Sequence, residues 1–457
     1  MFDKLTDAIE HGMNFSPSFL EIRFQESYEK EHSVKNGEYS YNPFFSKGYS
    51  VRALVNGGVC FAPSTNLDDI NGIVEQCIKM AKKIGENRKE PVEYASTPGY
   101  QMEEIIKAKK SHQEIDDTEK VKFLLDLDKE TRNDPIIKNF TGRLNELYEK
   151  RYYVNSEGSE LFFETPYTSA IVALTGSDKG EIQSRKFSIG KLSGYELVPF
   201  DTLEEETLKA QKEVHQLLEA KAPPQGTIEG VLNAPLAYTL CHEAFGHMAE
   251  ADYVISGGNI LENKMNQKIA SEQVTFIDDP SLKAGSGYYP FDDEGVLTGP
   301  TIIMENGVLK NFLHNRETAK KLNFDVTGNA RAKDFFYITQ CRMSNTFFKP
   351  GNFSFEELLE EIGNGLYAVD PRGGQVGSGT FHLGVQMFYE IKNGELSTMY
   401  RGGAISGSTL DTLLEVNAVG KDFEYHAGGC GKGGPIQLIR MGDVGPPIAC
   451  KKLIVGG

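Results

Sequence analysis

The sequence predicts an α+β protein, with an N-terminal mixed α/β domain over residues 1–222 and a β-rich C-terminal domain over residues 223–457. Three observations lead to this prediction. A chain of 457 residues is too long for one ordinary hydrophobic core. Pro223 and Pro224 interrupt the chain at a point where a predicted helix must end. Beyond residue 255, short strand-like runs and many glycines replace the earlier mixture of strands and helices.

In the N-terminal half, alternating and aromatic runs predict strands over the first 65 residues, with hairpin turns at Asn36-Gly37 and Asn56-Gly57-Gly58. A helix is predicted next, because apolar residues recur at spacings of three and four. These residues are Leu67, Ile70, Ile73, Val74, Cys77, Ile78 and Ala81. The pattern then predicts a helix over 115–131, strands over 138–200 and a helix over 201–222.

The C-terminal half is predicted to form a β barrel or sandwich, because short strand-like runs alternate with turns such as Asn306-Gly307 and Asn393-Gly394. Short helices are expected near 316–322 and over 354–363, where Ser354 and Glu357 fit a capping box. One further helix carries the sequence CHEAFGHMAE, residues 241–250. We expect this helix to hold the functional site.

Charge and composition exclude some classes of function. The formal net charge of -17 argues against nucleic acid or an anionic membrane as a direct partner, because both need a basic face. The six cysteines form no C-x-x-C pair, which favours reduced thiols. The N-terminus lacks the apolar run of a secretion signal, and no run of about 18 apolar residues predicts a membrane span. We therefore expect a cytoplasmic protein.

The sequence CHEAFGHMAE resembles a metal-binding pattern but departs from it by one residue. In H-E-x-x-H, two histidines lie at i and i+4 on one helix face, and the glutamate acts as a general base. Here His242 and Glu243 are followed by His247, five residues after the first histidine. At about 100° per residue, the two imidazoles diverge by about 140° on a regular α-helix. They can share a metal only if the helix bulges or ends near Gly246, where glycine eases an unusual backbone. An incidental pair of histidines is the alternative.

A catalytic zinc ion usually takes three protein ligands and a water, so a third ligand has to come from elsewhere. Glu250 is one candidate. Cys430, in the glycine-rich HAGGCGKGGP, is the other, and Lys432 is expected to favour its thiolate. Glu250 and Asp252 could instead orient the imidazoles from behind, or belong to an ordinary solvated face.

Several further motifs occur in a recognisable order. CHEAFGHMAEAD is followed by FIDDP (276–280), FDDEG (291–295), RMSNTFFKPG (342–351) and GGCGKGGP (428–435). In this order they resemble the TldD/PmbA family, a peptidase group once described as modulators of DNA gyrase. The sequence GYSVRALVNGGVCFAPS is similar to the first domain of that family, so the resemblance covers nearly the whole chain. The H-E-x-x-x-H spacing is typical of the TldD-like, metal-bearing branch, whereas the PmbA/TldE branch lacks it.

The resemblance implies that His242, His247 and Cys430 bind one zinc ion per active subunit and that Glu243 is the general base. It also implies hydrolysis of small, unfolded or extended peptides, which pair with a strand edge. It further implies a dimer, either a homodimer or a heterodimer with a paralogue that lacks the motif. The family's cysteine loop commonly reads C-G-K-x-G-Q. Here Pro435 replaces the last residue, which alters any substrate contact from that position.

Alternatives remain at this stage. The protein could be a non-catalytic regulator or scaffold with a structural metal site, which would have four protein ligands and not three. The metal could be iron, although a thiolate favours zinc. His314 and His382 could stabilise an oxyanion or be ordinary polar residues of a β domain. The acidic residues 292–294 could shape a cleft or form a turn.

Overall fold

One sheet organises the first half of the chain in the computed structural model, which describes residues 1–377 and 379–456. Its strands are β1 (Phe19–Lys35), β2 (Glu38–Val55), β3 (Gly58–Ser64), β4 (Gln101–Ile105), β5 (Ile137–Asn155), β6 (Glu160–Asp178) and β7 (Glu181–Lys191). The strands lie in the order β3-β2-β1-β5-β6-β4, and β7 also pairs with β6. The long hairpins β1–β2 and β5–β6 are antiparallel, whereas β4 is parallel to β6.

Four helices cover one face of this sheet: α1 (Phe2–Met13), α2 (Ile70–Asn87), α3 (Asp117–Arg132) and α4 (Phe200–Glu219). Ile22 and Phe24 of β1 share a core with α1 and α2, and Val34 shares one with α3 and α4. Because side chains alternate along a strand, the intervening Arg23 and Gln25 point to the opposite face. That opposite face meets the C-terminal half, where Arg23 donates to the carbonyl of Tyr337.

The predicted hairpins at Asn36-Gly37 and Asn56-Gly57 are confirmed by the pairing of β1 with β2 and of β2 with β3. The prediction that the first 65 residues form strands only is wrong, because α1 precedes β1. Its buried residues are Leu5, Ala8, Ile9 and Gly12. Their spacing of three and four is the helical period, so the sequence contained this signal.

The second half is built on a closed barrel and smaller sheets. Its strands are β8 (Gly226–Leu232), β9 (Phe276–Asp278), β10 (Thr301–Glu305), β11 (Val308–Leu309), β12 (Ala330–Arg331), β13 (Gln340–Cys341), β14 (Thr346–Phe348), β15 (Asn364–Gly377), β16 (Thr380–Lys392), β17 (Glu395–Ser408), β18 (Val416–Val419), β19 (Glu424–Lys432), β20 (Gln437–Gly445) and β21 (Ile448–Gly456). The order β17-β16-β15-β8-β21 closes on itself, because β17 also pairs with β21. The strands β19 and β20 form a separate two-stranded hairpin.

The helices of this half are α5 (Ala234–Thr239), α6 (Ala251–Ile255), α7 (Arg316–Leu322), α8 (Phe355–Ile362) and α9 (Thr409–Leu414). The predicted capping box of Ser354 and Glu357 is present at the start of α8. The predicted α+β class, with a barrel-like second half, is confirmed. The division of the chain at residue 222 stays a prediction. Within residues 1–377 and 379–456, no helix is long and apolar enough to cross a membrane.

The acidic sequence FDDEG connects the two halves. Asp292 is buried and accepts the backbone N–H of Glu294, which makes the segment a tight turn. The Glu294 carboxylate lies 2.5 Å from the guanidinium of Arg52 in β2, which also lies 2.8 Å from Glu21. The structure therefore favours the turn interpretation of residues 292–294 over a lining of a cleft.

Candidate metal centre

The helix that carries the motif changes its geometry between the two histidines. The strand β8 leads into α5, whose first turn is capped by the Asn233 side chain. A π-helical turn, Leu240–Phe245, follows, and a 3-10 turn, Gly246–Ala249, completes the segment. A π turn accommodates one extra residue and so returns the second histidine to the side of the first. The predicted bulge is confirmed, and the imidazole centroids of His242 and His247 lie 4.9 Å apart.

Gly246 is required for close packing. Its φ of -57° and ψ of -46° are ordinary helical values, so the prediction that it relaxes the backbone is wrong. A Cβ placed on Gly246 would lie 2.0 Å from the Sδ atom of Met343. The unusual backbone belongs to Phe245, with φ -128° and ψ -45°. A glycine at position 246 therefore lets Met343 pack directly against the turn.

Cys430 reaches the two histidines from the hairpin β19–β20. It lies opposite Ile439 of β20, and its Sγ atom is 3.2 Å from Nε2 of His247. One ligand atom from each of His242, His247 and Cys430 lies within 4.8 Å of the other two. The structure therefore brings together the three residues that the sequence analysis proposed as metal ligands.

This donor set fits a zinc ion. Imidazole nitrogen and thiolate sulfur are both common zinc ligands, and a catalytic site leaves one position for water. In the described part of the chain, the group contains three such residues and no fourth. Each histidine uses Nδ1 for a hydrogen bond inside the protein, to Tyr238 or to Glu250, which leaves Nε2 for a metal. The arrangement matches an open site better than a closed structural one.

Glu250 lies behind His247 and outside the group of ligand atoms. Its Oε2 atom is 3.1 Å from Nδ1 of His247 and 3.0 Å from Nζ of Lys432, and the residue is fully buried. Burial acts to raise the pKa of Glu250, but Lys432 and His247 lower it to about 2. Burial acts to lower the pKa of His247, but its hydrogen bonds to Cys430 and Glu250 raise it to about 10. A charged Glu250 can only accept a hydrogen bond, so it holds the Nδ1–H of His247.

Lys432 serves Glu250 and Asp252 instead of Cys430. Its Nζ atom lies 2.6 Å from Asp252 and 2.8 Å from the carbonyl oxygen of Cys341, in addition to its contact with Glu250. The prediction that Lys432 favours the Cys430 thiolate directly is therefore wrong. A buried ammonium group needs charged partners, and these two carboxylates supply them. Asp252 also accepts the backbone N–H of Cys341, so it is a half-buried partner of these groups and not part of a solvated face.

His242 has a different partner from His247. Its Nδ1 atom lies 2.9 Å from the hydroxyl oxygen of Tyr238, which is one turn earlier in the chain. Burial, followed by the charge of Asp443 in β20, raises the pKa of the Tyr238 hydroxyl. Burial, followed by the charge of His247, lowers the pKa of His242 to about 3. Burial also raises the pKa of Asp443, to about 6.

The sequence analysis missed both Tyr238 and Asp443. Tyr238 could have been found, because it lies four residues before His242 in a helical segment. Asp443 carries no such local signal, since the fold, and not the local sequence, brings its charge near Tyr238. Its position also depends on Gly428, where a Cβ would lie 1.9 Å from the Asp443 carboxylate.

Glu243 is half-buried on the same turn as His242. Within residues 1–377 and 379–456, its carboxylate makes no hydrogen bond or ion pair. Burial raises the pKa of Glu243, while the neighbouring His247 acts in the opposite direction. An ionisable group without a protein partner is free to exchange a proton with a water beside the ligands.

Two further sequence motifs, FIDDP and RMSNTFF, form hydrogen bonds that support this centre. Asp278 of FIDDP is fully buried and accepts hydrogen bonds from Ser344 and Thr346 of RMSNTFF and from Asn329. These bonds fix the segment whose Met343 packs against Gly246. Asp278 therefore has a structural role.

The two spare histidines lie outside the ligand group. His314 is fully buried, and its ring stacks on Phe324 with centroids 5.1 Å apart. His382 is an exposed residue of β16. The structure thus favours ordinary roles for both.

A second group of potential ligands lies in the N-terminal half. His32, Asp117 and Glu146 place ligand atoms within 4.8 Å of one another. However, Nζ of Lys120 lies 3.0 Å from Asp117 and 2.6 Å from Glu146. The lysine already supplies the positive charge there, so this group is a partly buried ion-pair cluster.

Comparison with known proteins shows which family shares this arrangement. Three profiles of the PmbA/TldA metallopeptidases match the chain: domain 1 over residues 20–84, the central domain over 110–220 and the C-terminal domain over 225–457. Solved structures share the fold. A Thermotoga maritima protein, named for modulation of a DNA gyrase, superimposes with a TM-score of 0.81 at 23% identity over 100% of both chains. TldE from Thermococcus kodakarensis gives 0.78 at 20% identity, over 99% of this chain and 100% of its own.

Relatives with higher identity carry enzyme names. A protein from Archaeoglobus fulgidus named "Metalloprotease" is 38% identical over 96% of this chain and 99% of its own length. A protein from Saccharolobus solfataricus named "Zinc metalloprotease TldD homolog" is 30% identical over 100% of both chains. The profiles and these relatives together cover all three parts of the sequence. This chain therefore belongs to the PmbA/TldD metallopeptidase family.

Proposed function

We propose that this protein is a zinc-dependent metallopeptidase that hydrolyses peptide bonds in small, unfolded or extended peptides. The observation that carries the proposal is the convergence of His242, His247 and Cys430 within 4.8 Å, beside the unpaired carboxylate of Glu243. The names of the relatives agree with a peptidase, and one of those names includes zinc.

The ligand residues would hold the metal, and Glu243 would move the proton. A zinc ion at this position supplies a Lewis acid that polarises a peptide carbonyl and makes water more acidic. Glu243 takes a proton from the attacking water and passes it to the leaving amine. Glu250 and Tyr238 hold the two imidazoles from behind through their Nδ1 atoms.

An extended substrate suits the strand that carries Cys430. In the described part of the chain, β19 pairs with β20 on one edge and has no ladder on the other. On this edge the Cys430 carbonyl already accepts a hydrogen bond from Arg342. A strand edge without a ladder partner can bind an extended peptide through its backbone. This supports unfolded peptides as the substrate class.

The oligomeric state and location complete the proposal. We propose a dimer, either of two copies of this chain or with a paralogue that lacks the histidine motif. We also propose a cytoplasmic location, which agrees with the six free cysteines of the described residues.

The proposal is tested by metal analysis combined with peptide cleavage. Glu243→Gln is expected to keep its zinc and to lose cleavage of an unstructured peptide by at least about 100-fold, because the general base is removed. His242→Ala and Cys430→Ala are expected to lose both zinc and cleavage. His382→Ala removes an exposed histidine and is expected to keep both.

Three results would contradict parts of this proposal. Cleavage by Glu243→Gln at the wild-type rate would show that Glu243 is not the general base. Full zinc in Cys430→Ala, together with loss of zinc in Glu250→Ala, would reassign the third ligand. If zinc-loaded wild-type protein cleaved nothing in a broad library of unstructured peptides, a regulatory or scaffold function would replace the peptidase.

A further inference from the structure

We propose that Cys60 of β3 and Cys77 of α2 are a redox-active pair, in which a hydroperoxide oxidises Cys60 and Cys77 then closes a disulfide bond between the strand and the helix. Both residues are free thiols in the structure. The pair lies in the N-terminal half, outside the group of candidate metal ligands, so the inference does not depend on the proposed function. Disulfides that form inside cells are usually of this transient, redox-sensing kind.

The two residues face each other across the contact between α2 and β3. The thiol of Cys77 donates a hydrogen bond to the carbonyl oxygen of Cys60, with 3.4 Å between the two atoms. The Cys60 side chain packs against the core cluster that contains Cys77. Its neighbour Val59 packs in a different cluster, with Phe19 and Leu54. Because side chains alternate along a strand, Val59 points away from the helix and Cys60 points towards it.

The backbones of α2 and β3 are close enough for a short covalent link. A Cβ placed on Gly58 would lie 2.2 Å from the carbonyl oxygen of Ala81, so the helix rests directly on the strand there. Cys60 lies two residues along the strand from Gly58, about 7 Å, and Cys77 lies one turn along the helix from Ala81, about 6 Å. These two steps are of similar length, so the close approach extends to the two cysteines. A disulfide needs such an approach, with Cα atoms about 4.4–6.8 Å apart.

Cys60 is the thiol that an oxidant can reach. Among the cysteines of residues 1–377 and 379–456, Cys60 is partly exposed, whereas the others are buried. The neighbouring Cys77 lowers the pKa of Cys60, against the effect of burial, while Cys60 and burial raise the pKa of Cys77. A thiolate is the form that attacks a peroxide. Cys60 therefore reacts first, and Cys77 is held beside it as the resolving thiol.

The reaction balances in two steps. The Cys60 thiolate attacks one oxygen of the hydroperoxide, the O–O bond breaks, and the leaving alkoxide takes up the proton that Cys60 released. Cys60 is then a sulfenic acid, and the peroxide has been reduced to an alcohol. The sulfur of Cys77 next attacks the sulfur of Cys60, the S–O bond breaks, and hydroxide leaves as water with the proton of the Cys77 thiol. Two thiols and one hydroperoxide thus give a disulfide, an alcohol and water.

The disulfide fastens the edge of the N-terminal sheet. The strand β3 comes first in the order β3-β2-β1-β5-β6-β4, so it pairs on one side only. A strand at a sheet edge exposes unpaired backbone groups to other chains. A bond from β3 to α2, the helix that rests on it, closes a loop of the unfolded chain and so stabilises the folded form.

The test treats reduced, full-length protein with excess hydrogen peroxide, alkylates the remaining thiols and identifies the cysteine-containing peptides by mass spectrometry. We expect a disulfide between Cys60 and Cys77 that dithiothreitol removes. In Cys77→Ala, Cys60 is expected to stay a sulfenic acid, which dimedone traps. The control Cys450→Ala removes a buried cysteine of the other half and is expected to keep the disulfide.

Thermal unfolding gives a second readout. Peroxide is expected to raise the unfolding midpoint of wild type by at least about 3 °C, because the new bond constrains the unfolded chain. The midpoint of Cys60→Ser is expected to stay unchanged by peroxide. This variant alters a partly exposed side chain, so the comparison does not depend on whether Cys77→Ala folds.

The proposal is overturned if Cys60 stays reduced, or if wild type accumulates the sulfenic acid at Cys60 without a bond to Cys77. A disulfide between the Cys60 residues of two chains, or an equal midpoint shift in wild type and Cys60→Ser, overturns it as well.

Discussion

At the scale of single residues, the candidate metal centre depends on charges buried directly behind it. Glu250 and Arg342 are fully buried, and Lys432 is nearly so. Each is expensive to bury alone, but Glu250 and Lys432 are 3.0 Å apart, and Arg342 donates to the carbonyl oxygen of Cys430. The same side chains that neutralise one another therefore hold His247 and the Cys430 backbone in place.

Gly246 offers the sharpest test at this scale. Gly246→Ala is expected to lower the free energy of unfolding by about 1–3 kcal/mol, because its Cβ would overlap the buried Sδ atom of Met343. It is also expected to weaken zinc binding, since the adjacent His247 must shift. Chemical unfolding and chelator competition measure the two effects.

The control is Gly299→Ala, where a Cβ would meet no atom within 4 Å and the backbone is not left-handed. This variant is expected to match wild type in both measurements. If Gly246→Ala also matched wild type in unfolding and in zinc binding, close packing would not be the reason for glycine at position 246.

At the scale of elements, the π-helical turn Leu240–Phe245 decides whether the two histidines meet. A regular α-helix would direct residues five apart about 140° away from each other. The wider turn absorbs one residue and brings the imidazole centroids to 4.9 Å. The 3-10 turn that follows ends this segment before α6 begins.

A deletion and an insertion at the same position test this role. Deleting Ala244 places the histidines four apart, the spacing that shares one face of a regular α-helix, and zinc affinity is expected to stay within about tenfold of wild type. Inserting an alanine after Ala244 separates them by six residues and is expected to lower affinity by at least about 100-fold. The measurement is chelator competition. Equal losses in the two variants would contradict the role assigned to the π turn.

At the scale of the whole molecule, the polar face of the N-terminal sheet meets the C-terminal half through buried ion pairs. Arg52 is the centre of one such group, between Glu21 and Glu294, with side chains of 7%, 2% and 1% exposure. Arg316 of α7 forms another, 2.7 Å from Glu157 after β5. Because these pairs join residues far apart in sequence, they resist separation of the two halves.

Arg52→Met tests this joining role. The substitution is expected to lower the free energy of unfolding by about 3–5 kcal/mol, because it leaves Glu21 and Glu294 buried without their cation. The control Lys4→Met breaks an exposed pair with Asp68, whose side chain is 98% exposed, and is expected to cost less than about 1 kcal/mol. Chemical unfolding measures both. Similar effects in the two variants would contradict the importance of the buried group.

Local patterns determined much of the fold. Asn-Gly pairs located the turns of β1–β2 and β2–β3, and the spacing of apolar residues located α2. These features are local, since turn geometry and helical period depend on neighbours in the chain. The helix α1 was missed, although its buried residues follow the same period.

The sequence by itself determined the chemistry of the candidate site. The residue types in CHEAFGHMAE and GGCGKGGP identified two imidazoles, a carboxylate and a thiol, and the helical period required a bulge between the histidines. Only the tertiary structure decided the partners: Glu250 behind His247, Tyr238 behind His242, and Lys432 beside Glu250. The physical reason is that a hydrogen bond depends on distance and direction in space. For Cys430, that distance and direction are set by the pairing of β19 with β20 and by the packing of this hairpin against the π turn. No local pattern in the chain records either contact.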